Sequence, residues 1–349
     1  MFKQAITLDP NFGDAWAGLA DATSKAASNY GTYPIEYLDS ALKYAEKAVT
    51  LAPLSAASWK AWGTVYSSLA QYDKASEKYE KALELDPNHS PAINNLAMAK
   101  LAHGDYPGSI QLFRKLIDLN PVNSHAYSNI ANRYLTMNMF KEVKLNVDKA
   151  LFYTPNDWHT HSVLSKLYLW KRDTSKCIEH ARKLVEQGTD NPYFMELAAF
   201  ILRDISPDLS DMYFDSALKT PNFDPAYYMN TEMYDIRRKL NNGDVENANQ
   251  KINFLRNHAT SKIESGALLI EYFLTLAYLE LAHNNTDKAL NWIEGIPQKN
   301  LYYDIPIRSD PWLKPIAKHP RFIAVMEQIE QSKQQMRFEI SAQETSHFK

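Results

Sequence analysis

Histidine, cysteine and carboxylate side chains could do chemistry in this sequence, but their spacing argues against a catalytic or metal site. His159 and His161 are two residues apart, so on a helix their imidazoles point to different sides and do not share a ligand. Cys177 is the only cysteine, which excludes an intrachain disulfide and a cysteine-based zinc cluster, and its neighbours predict an inert packed residue. Glu77 and Glu80 stand among lysines, as expected on a solvated helix face.

The sequence also lacks the local motifs that bind phosphate, zinc or an acyl intermediate. It contains no glycine-rich phosphate loop, no His-Glu-x-x-His pair and no Gly-x-Ser-x-Gly elbow. The net charge of −3 provides no global field that would attract nucleic acid. The most apolar stretch, residues 266–282, is interrupted by Glu271 and Glu280, which is typical of a buried helix. We therefore predict a protein that is not an enzyme, needs no cofactor or metal, and neither binds nucleic acid nor inserts into a membrane through this chain.

Proline residues mark a regular period along the first half of the chain. Pro53, Pro87, Pro121 and Pro155 follow one another at intervals of 34 residues. Each interval holds two amphipathic stripes with helical spacing, separated by a polar break. The stripes of one unit, with their closing proline, comprise Trp59, Trp62, Gly63, Tyr66, Ala75, Tyr79, Ala82 and Pro87. Small residues at Gly63 and Ala75 would let two antiparallel helices approach closely.

This pattern resembles the tetratricopeptide repeat, a unit of two helices. The next units keep equivalent positions, which include Ile93, Leu96, Ala97, Phe113, Tyr127, Ile130, Ala131, Tyr134, Val147, Leu164, Tyr168 and Ala181. The resemblance implies an all-α fold, a right-handed α-α superhelix of about eight helix pairs with a C-terminal capping helix. A solenoid of this kind is concave on the side of the first helices, and that hollow binds partners.

The period also predicts the organisation of the chain. Phe2, Ala5 and Pro10 have the spacing of a second helix, so the chain opens inside a truncated unit and is expected to be the C-terminal piece of a longer protein. The next unit carries a loop insertion at 28–37, whose tyrosines either form a contact surface or cap a neighbouring helix. Regular units are predicted for 1–190, divergent helix pairs for 191–297 (at about 192–219, 224–258 and 264–295), a C-terminal cap for 298–335 and a disordered tail for 336–349.

One stripe of each first helix is expected to face the hollow. It is rich in amides and hydroxyls, which can both donate to and accept from the backbone of an extended peptide. The alternative is that these side chains only solvate an exposed face. The predicted peptide-binding groove comprises Lys60, Thr64, Asn94, Asn95, Met98, His125, Ser128, Asn129, Asn132, His159, Ser162 and Lys166. Within it, His125 and His159 lie one period apart and are expected to be neighbours.

Some tetratricopeptide repeat proteins hold the C-terminal carboxylate of a partner with lysine, asparagine and arginine. Lys60 and Asn95 fit this pattern, but Thr64, His125 and Asn129 stand where asparagine, lysine and arginine would be required. The positive charge that would hold a carboxylate is therefore mostly missing. We do not expect a receptor for chaperone tails.

The C-terminal run from Arg308 to Phe322 resembles the closing segment of repeat regions in bacterial multidomain regulators. These include CadC-like winged-helix transcriptional regulators and proteins with adenylate cyclase or kinase domains. The resemblance implies a sensory or partner-docking module that binds a protein or peptide, in the cytoplasm, or in the periplasm if the parent has a single membrane span. Two alternatives stay open: an array that presents substrates to an enzyme such as a glycosyltransferase, and a self-associating structural element that forms a homodimer.

Overall fold

The computed structural model describes residues 1–29, 36–188, 191–220, 223–226, 228–264, 266, 269–296, 307 and 310–347, and no strand occurs among them. The helices are α1 (Phe2–Leu8), α2 (Gly13–Asn29), α3 (Glu36–Leu51), α4 (Ala56–Ser68), α5 (Tyr72–Leu85), α6 (Ser90–Ala102), α7 (Tyr106–Leu119), α8 (Ser124–Thr136), α9 (Phe140–Tyr153), α10 (Trp158–Trp170), α11 (Thr174–Glu186), α12 (Pro192–Leu202), α13 (Pro207–Leu218), α14 (Met229–Asn241), α15 (Val245–Glu264), α16 (Ile270–Ala282), α17 (Thr286–Glu294) and α18 (Pro320–His347).

Consecutive helices pack in pairs, from α2 with α3 to α16 with α17. The described part of the chain thus holds eight pairs followed by α18, which confirms the predicted all-α architecture of helix pairs and a C-terminal helix. The pairs belong to two compact units: unit 1 is Met1–Pro121 and unit 2 is Val122–Lys349.

Within each unit the first helices of the pairs form the inner row. The helices α2, α4 and α6 pack on one another in unit 1, and α8, α10, α12, α14 and α16 do so in unit 2. Second helices pack on the first helices beside them, but no comparable contact joins two second helices in the described regions. First helices therefore line the more tightly curved side of each unit.

Local sequence signals fix the helix ends. The side chains of Asp105, Asn123 and Asp157 accept hydrogen bonds from backbone N–H groups in the first turns of α7, α8 and α10. Pro91 lies in the first turn of α6, where a missing N–H costs nothing. These caps start the helices where the 34-residue period predicts them.

Close approach within the second pair depends on Gly63. A methyl group at Gly63 would lie 2.5 Å from the ring of Tyr79 and 3.1 Å from the carbonyl oxygen of Ala75. Ala75 is fully buried, and Tyr79 is only 1% exposed. The structure therefore confirms that small residues at positions 63 and 75 allow α4 and α5 to pack tightly.

The structure differs from the sequence-based expectation in two places. The pair predicted at 224–258 begins at Met229 and ends at Glu264. It begins later than predicted because the Asp224 side chain accepts a hydrogen bond from the Ala226 N–H and holds a turn there. The predicted tail at 336–349 is helical to His347: Met336 and Ile340 are 6% and 1% exposed, which stabilises the last turns of α18. The predicted loop insertion at 28–37 lies largely outside the described residues, and the boundaries at 190 and 297 stay predictions.

Candidate functional site

A row of side-chain contacts, which we call the polar ladder, links the first helices of unit 1. Lys60 Nζ on α4 lies 3.0 Å from a carboxylate oxygen of Asp21 on α2. The hydroxyls of Ser24 and Ser68 lie 2.7 Å apart. These contacts join α2 to α4.

The polar ladder continues from α4 to α6 through two groove residues. Asn95 Nδ2 donates to Thr64 Oγ1 over 3.3 Å, and Thr64 Oγ1 donates to the Lys60 carbonyl over 3.1 Å. The neighbouring Asn94 donates to Asn95 Oδ1 over 3.3 Å. The predicted residues Lys60, Thr64, Asn94 and Asn95 are therefore brought together, but part of their bonding capacity serves to hold the helices in place.

Electrostatics support this reading of the polar ladder. Burial acts to raise the pKa of Asp21, but the ammonium groups of Lys60 and Lys25 outweigh it and the pKa is lowered. Burial also raises the pKa of Tyr79 to about 12, against hydrogen bonds with Thr64 and Ser67. Because Lys60 is paired with a charged Asp21, it offers less positive charge to a ligand than the sequence suggests.

One face of α6 stays open. Ala92, Ile93, Leu96 and Ala97 are buried, whereas Asn94, Asn95 and Met98 are half-buried. The open face thus combines two amides with an apolar thioether. Such a surface can hydrogen-bond a peptide backbone and contact an apolar side chain.

In unit 2, two groove residues, Ser128 and His159, cluster with Asp157, the N-cap of α10. Ser128 Oγ lies 2.8 Å from Asp157 Oδ2 and 2.7 Å from Thr160 Oγ1. Burial acts to raise the pKa of Asp157, but hydrogen bonds from Thr160 and Ser128 keep the pKa below its usual value. His159 Nδ1 lies 3.9 Å from Asp157 Oδ1. Ser128 is buried, so it stabilises the junction of α8 and α10.

His125 and His159 are neighbours, as predicted: their ring centroids lie 4.5 Å apart in a T-shaped contact. Trp158 stacks on His159 with centroids 3.4 Å apart. Burial and the nearby His125 together lower the pKa of His159 to about 3, and burial also lowers the pKa of His125. Both rings are therefore neutral at physiological pH.

His161 points away from this pair, which confirms that His159 and His161 do not act together. Its Nε2 lies 3.2 Å from the Pro155 carbonyl and its Nδ1 lies 3.1 Å from Nδ1 of His180. A carbonyl only accepts, so His161 is protonated on Nε2 and His180 donates from Nδ1. The pair of rings is satisfied without a metal ion.

The other groove residues of unit 2 are less accessible than a solvated face would be. Asn129, Ser162 and Lys166 are buried and Asn132 is half-buried. Asn129 Nδ2 donates to the His125 carbonyl over 2.9 Å. Asn132 Oδ1 is a buried acceptor without a hydrogen-bond partner among the described residues.

Asp310 and Trp312 form a cluster that no sequence motif predicted. Together they contact α14, α16 and the C-cap of α12, all first helices of unit 2. Asp310 Oδ2 accepts from Tyr278 of α16 over 2.5 Å and pairs with Arg203, the C-cap of α12, over 2.5 Å. Trp312 packs on Tyr278, and the guanidinium of Arg237 on α14 lies over its indole. Trp312 thus contacts residues of more than one helix pair. Asp310 before Pro311 is a capping signal that could have indicated an ordered segment.

The described residues hold neither a candidate metal site nor a candidate membrane span. They contain no group of three or more histidine, cysteine, aspartate or glutamate residues placed to hold a metal ion. No described helix combines the length and apolar character that a membrane crossing requires.

Comparisons with known proteins agree with this geometry. Two family models described as tetratricopeptide repeat match residues 56–89 and 78–111. No curated protein matches the chain.

Similar solved structures include YrrB, described as a TPR protein with an unusual peptide-binding site (18% identity, 57% of this chain and 95% of that chain, TM-score 0.39). TTC0263, a TPR protein of Thermus thermophilus, has 16% identity over 51% of this chain and 97% of that chain, with a TM-score of 0.46. A monomeric mutant of IFIT1 with Gppp-AAAA has 15% identity over 84% of this chain and 65% of that chain, with a TM-score of 0.53. At these identities the likeness concerns the fold alone. Together with the helix pairs, the family matches show that this chain contains tetratricopeptide repeats.

Proposed function

We propose that this chain is a non-catalytic scaffold that binds a protein or an extended peptide along the first helices of its repeats. The observation that carries the proposal is the open face of α6, where Asn94, Asn95 and Met98 are half-buried beside a fully packed core. Amides held in place by the polar ladder lose little conformational freedom when they bind, which favours affinity.

The proposal assigns different roles to the groove residues. Asn95 and Thr64 position the helices, because their side chains bond to each other across two repeats. Asn94 and Met98 are the residues of α6 that we expect to contact the ligand.

The finer part of the proposal is that the chain is the partner-docking module of a longer bacterial regulator. It is supported by the resemblance of residues 308–322 to the closing segment of such repeat regions. In that arrangement DNA binding or nucleotide chemistry would belong to another domain. The sequence that precedes this chain in its gene tests this part directly, since an enzyme domain such as a glycosyltransferase there would contradict it.

The binding proposal can be tested with peptides. We would select ligands for the full chain from a displayed library of random peptides and measure the affinity of the selected peptides by calorimetry. Asn94→Ala combined with Met98→Ala should weaken binding by about tenfold or more, as the loss of two central contacts does. The melting temperature should change little because both side chains are half-buried.

A matched control is Lys81→Ala on the exposed side of the second helix α5. It should change neither binding nor stability beyond the small effect of a surface ion pair. Equal affinity of the selected peptides for the double variant and the wild type would contradict the proposal, as would a library that yields no ligand.

A further inference from the structure

The C-terminal helix α18 joins the two ends of unit 2. At its start, the Arg321 guanidinium bonds to Asn291 and Glu294 of α17, in the last pair. Arg337 Nη1, further along α18, donates over 2.9 Å to the carbonyl of Met137, the C-cap of α8 in the first pair of the unit. A helix advances about 24 Å over the sixteen residues between these two arginines. The helix therefore runs from the last pair back to the first.

The preceding segment approaches the inner row as well. Asp310 and Trp312 contact Arg203, Arg237 and Tyr278, which lie at or near the C-terminal ends of α12, α14 and α16. Met137 also lies at the C-terminal end of a first helix. The chain beyond α17 thus follows the same side of the first helices over most of unit 2.

The buried side chains of α18 form one apolar stripe. They are spaced by three, four or seven residues along the helix and comprise Phe322, Val325, Met326, Ile329, Met336 and Ile340. Phe338, on the opposite side of α18, is 71% exposed. The helix therefore buries one apolar stripe against the rest of unit 2.

Two first helices of unit 2, α10 and α16, lack the open face seen in α6. Residues 160–167 of α10 and 273–281 of α16 are buried without interruption, polar side chains included. The polar members are Thr160, His161, Ser162, Ser165, Lys166, Thr275 and Glu280. A helix buried on all sides must be covered on the side that its own pair leaves open.

The two halves of α18 are held differently. The backbone of α18 lies against α17, at the end where Arg321 binds. The second half contacts unit 2 through side chains such as Met336, Arg337 and Ile340. A segment held through side-chain contacts opens at lower free energy than a helix packed along its backbone.

We propose that the inner face of unit 2 is a helix-binding surface and that α18 is its resident ligand. The partner that this surface fits is an amphipathic helix with an apolar stripe like that of α18 and a basic residue that reaches the Met137 carbonyl. Such a partner binds when the second half of α18 leaves. The inference rests on the proposed scaffold function, of which it names the partner class and the regulation in unit 2.

A synthetic, fluorescein-labelled peptide of residues 320–347 serves as the probe, with the full chain as its target. In the wild type the tethered α18 has an effective concentration near the millimolar range, so the probe should bind poorly. Met336→Glu with Ile340→Glu removes the two buried contacts of the second half. This variant should bind the probe at least about tenfold more tightly than the wild type in fluorescence anisotropy.

Hydrogen exchange shows whether the variants release the segment that we name. The amides of residues 333–343 should exchange faster in the double variant and in the milder Arg337→Ala variant, while those of α10 and α16 keep their protection. Phe338→Glu is the control, because it adds the same charge on the exposed face of α18 and should change neither exchange nor probe binding.

Equal probe binding by the wild type and the double variant would overturn the inference. So would faster exchange of 333–343 without any binding of the probe. If the double variant also loses the protection of α10 and α16, its fold is disturbed and the Arg337→Ala variant decides instead. Tighter probe binding together with faster exchange of 333–343 in that variant supports the inference, and the absence of tighter binding overturns it. The peptide selection on α6 is independent of these measurements, so each proposal can fail without the other.

Discussion

Gly63 shows how one residue sets the distance between two helices. The ring of Tyr79 takes the space beside Gly63 that a side chain would need, and it is itself enclosed on all sides. Because the core is close-packed, neither ring nor helix has room to move away. The tight second pair therefore depends on the absence of a β-carbon at this position.

Replacing Gly63 by alanine should destabilise the protein although alanine is the better helix former. Alanine gains up to about 1 kcal/mol in helix propensity, whereas overpacking a core typically costs about 1–3 kcal/mol. We expect a net loss of about 1–2 kcal/mol in the free energy of unfolding, measured by urea titration. The double variant Gly63→Ala with Tyr79→Leu should lose less stability than the two single variants lose together, because the smaller leucine relieves the clash. Additive losses would show that the ring does not oppose the methyl group.

At the residue level the sequence predicted which side chains lie together better than what they do. The 34-residue period placed His125 beside His159, because equivalent positions of stacked repeats are neighbours. It did not reveal that Asp21 pairs with Lys60, since Asp21 precedes the loop insertion and lies outside the regular period. Asp310 was missed because its partners, Arg203 and Tyr278, come from two pairs that no local spacing connects.

At the level of helices, the turns within the pairs share one conformation. The residue after the C-cap of the first helix has a positive φ in most described pairs: Ala70, Gly104, Asn138, Arg172, Gly243 and Asn284. This left-handed residue closes the helix and directs the chain into the second helix. Glycine adopts it without steric cost, whereas a β-carbon is strained there.

Ala70→Gly should therefore stabilise the chain, although most glycine substitutions weaken proteins. Ala70 has a φ of 57°, and relief of that strain is worth about 1–2 kcal/mol, part of which is lost to the greater freedom of glycine in the unfolded chain. We expect a gain of about 0.5–1 kcal/mol in urea unfolding. Gly104→Ala places the opposite change at the equivalent turn, where φ is 76°, and should lose stability. A shift of the same sign in both variants would contradict this account.

Helix ends were predictable where capping residues and prolines mark them, as from α4 to α11. Beyond residue 190 the markers are weaker, and α14 begins five residues later than expected because Asp224 holds a turn. The tail was mistaken for disorder because 336–349 is polar on average. Its order depends on two buried apolar residues, Met336 and Ile340.

At the scale of the whole chain, the acid limit of stability depends on histidine residues that folding keeps neutral. Burial lowers the pKa of His159 to about 3 and of His180 to about 4, and it also lowers the pKa values of His125 and His161. The unfolded chain takes up these protons near the ordinary value of about 6.5. Glu196, which is half-buried, acts in the opposite direction, because burial raises its pKa and its protonation favours the folded state as the pH falls.

We therefore expect the free energy of unfolding to fall as the pH drops from about 6.5 toward 4, since the unfolded state then binds more protons than the folded state. One histidine that stays neutral in the folded state lowers the free energy of unfolding by at most about 1.4 kcal/mol per pH unit. His159 is partly exposed, so solvent screening reduces its contribution to about 1 kcal/mol in total between pH 7 and 5. Urea titrations followed by circular dichroism at pH 7 and pH 5 measure the difference.

His159→Gln should lose less stability over this interval than the wild type, because glutamine does not titrate and binds no proton when the chain unfolds. His103→Gln is the control for the loss of a histidine as such, since His103 is exposed at the end of α6 and takes no part in the contacts of His159. If the wild type and His159→Gln lose the same stability between the two pH values, the ring of His159 is not held neutral by its contacts with Trp158 and His125.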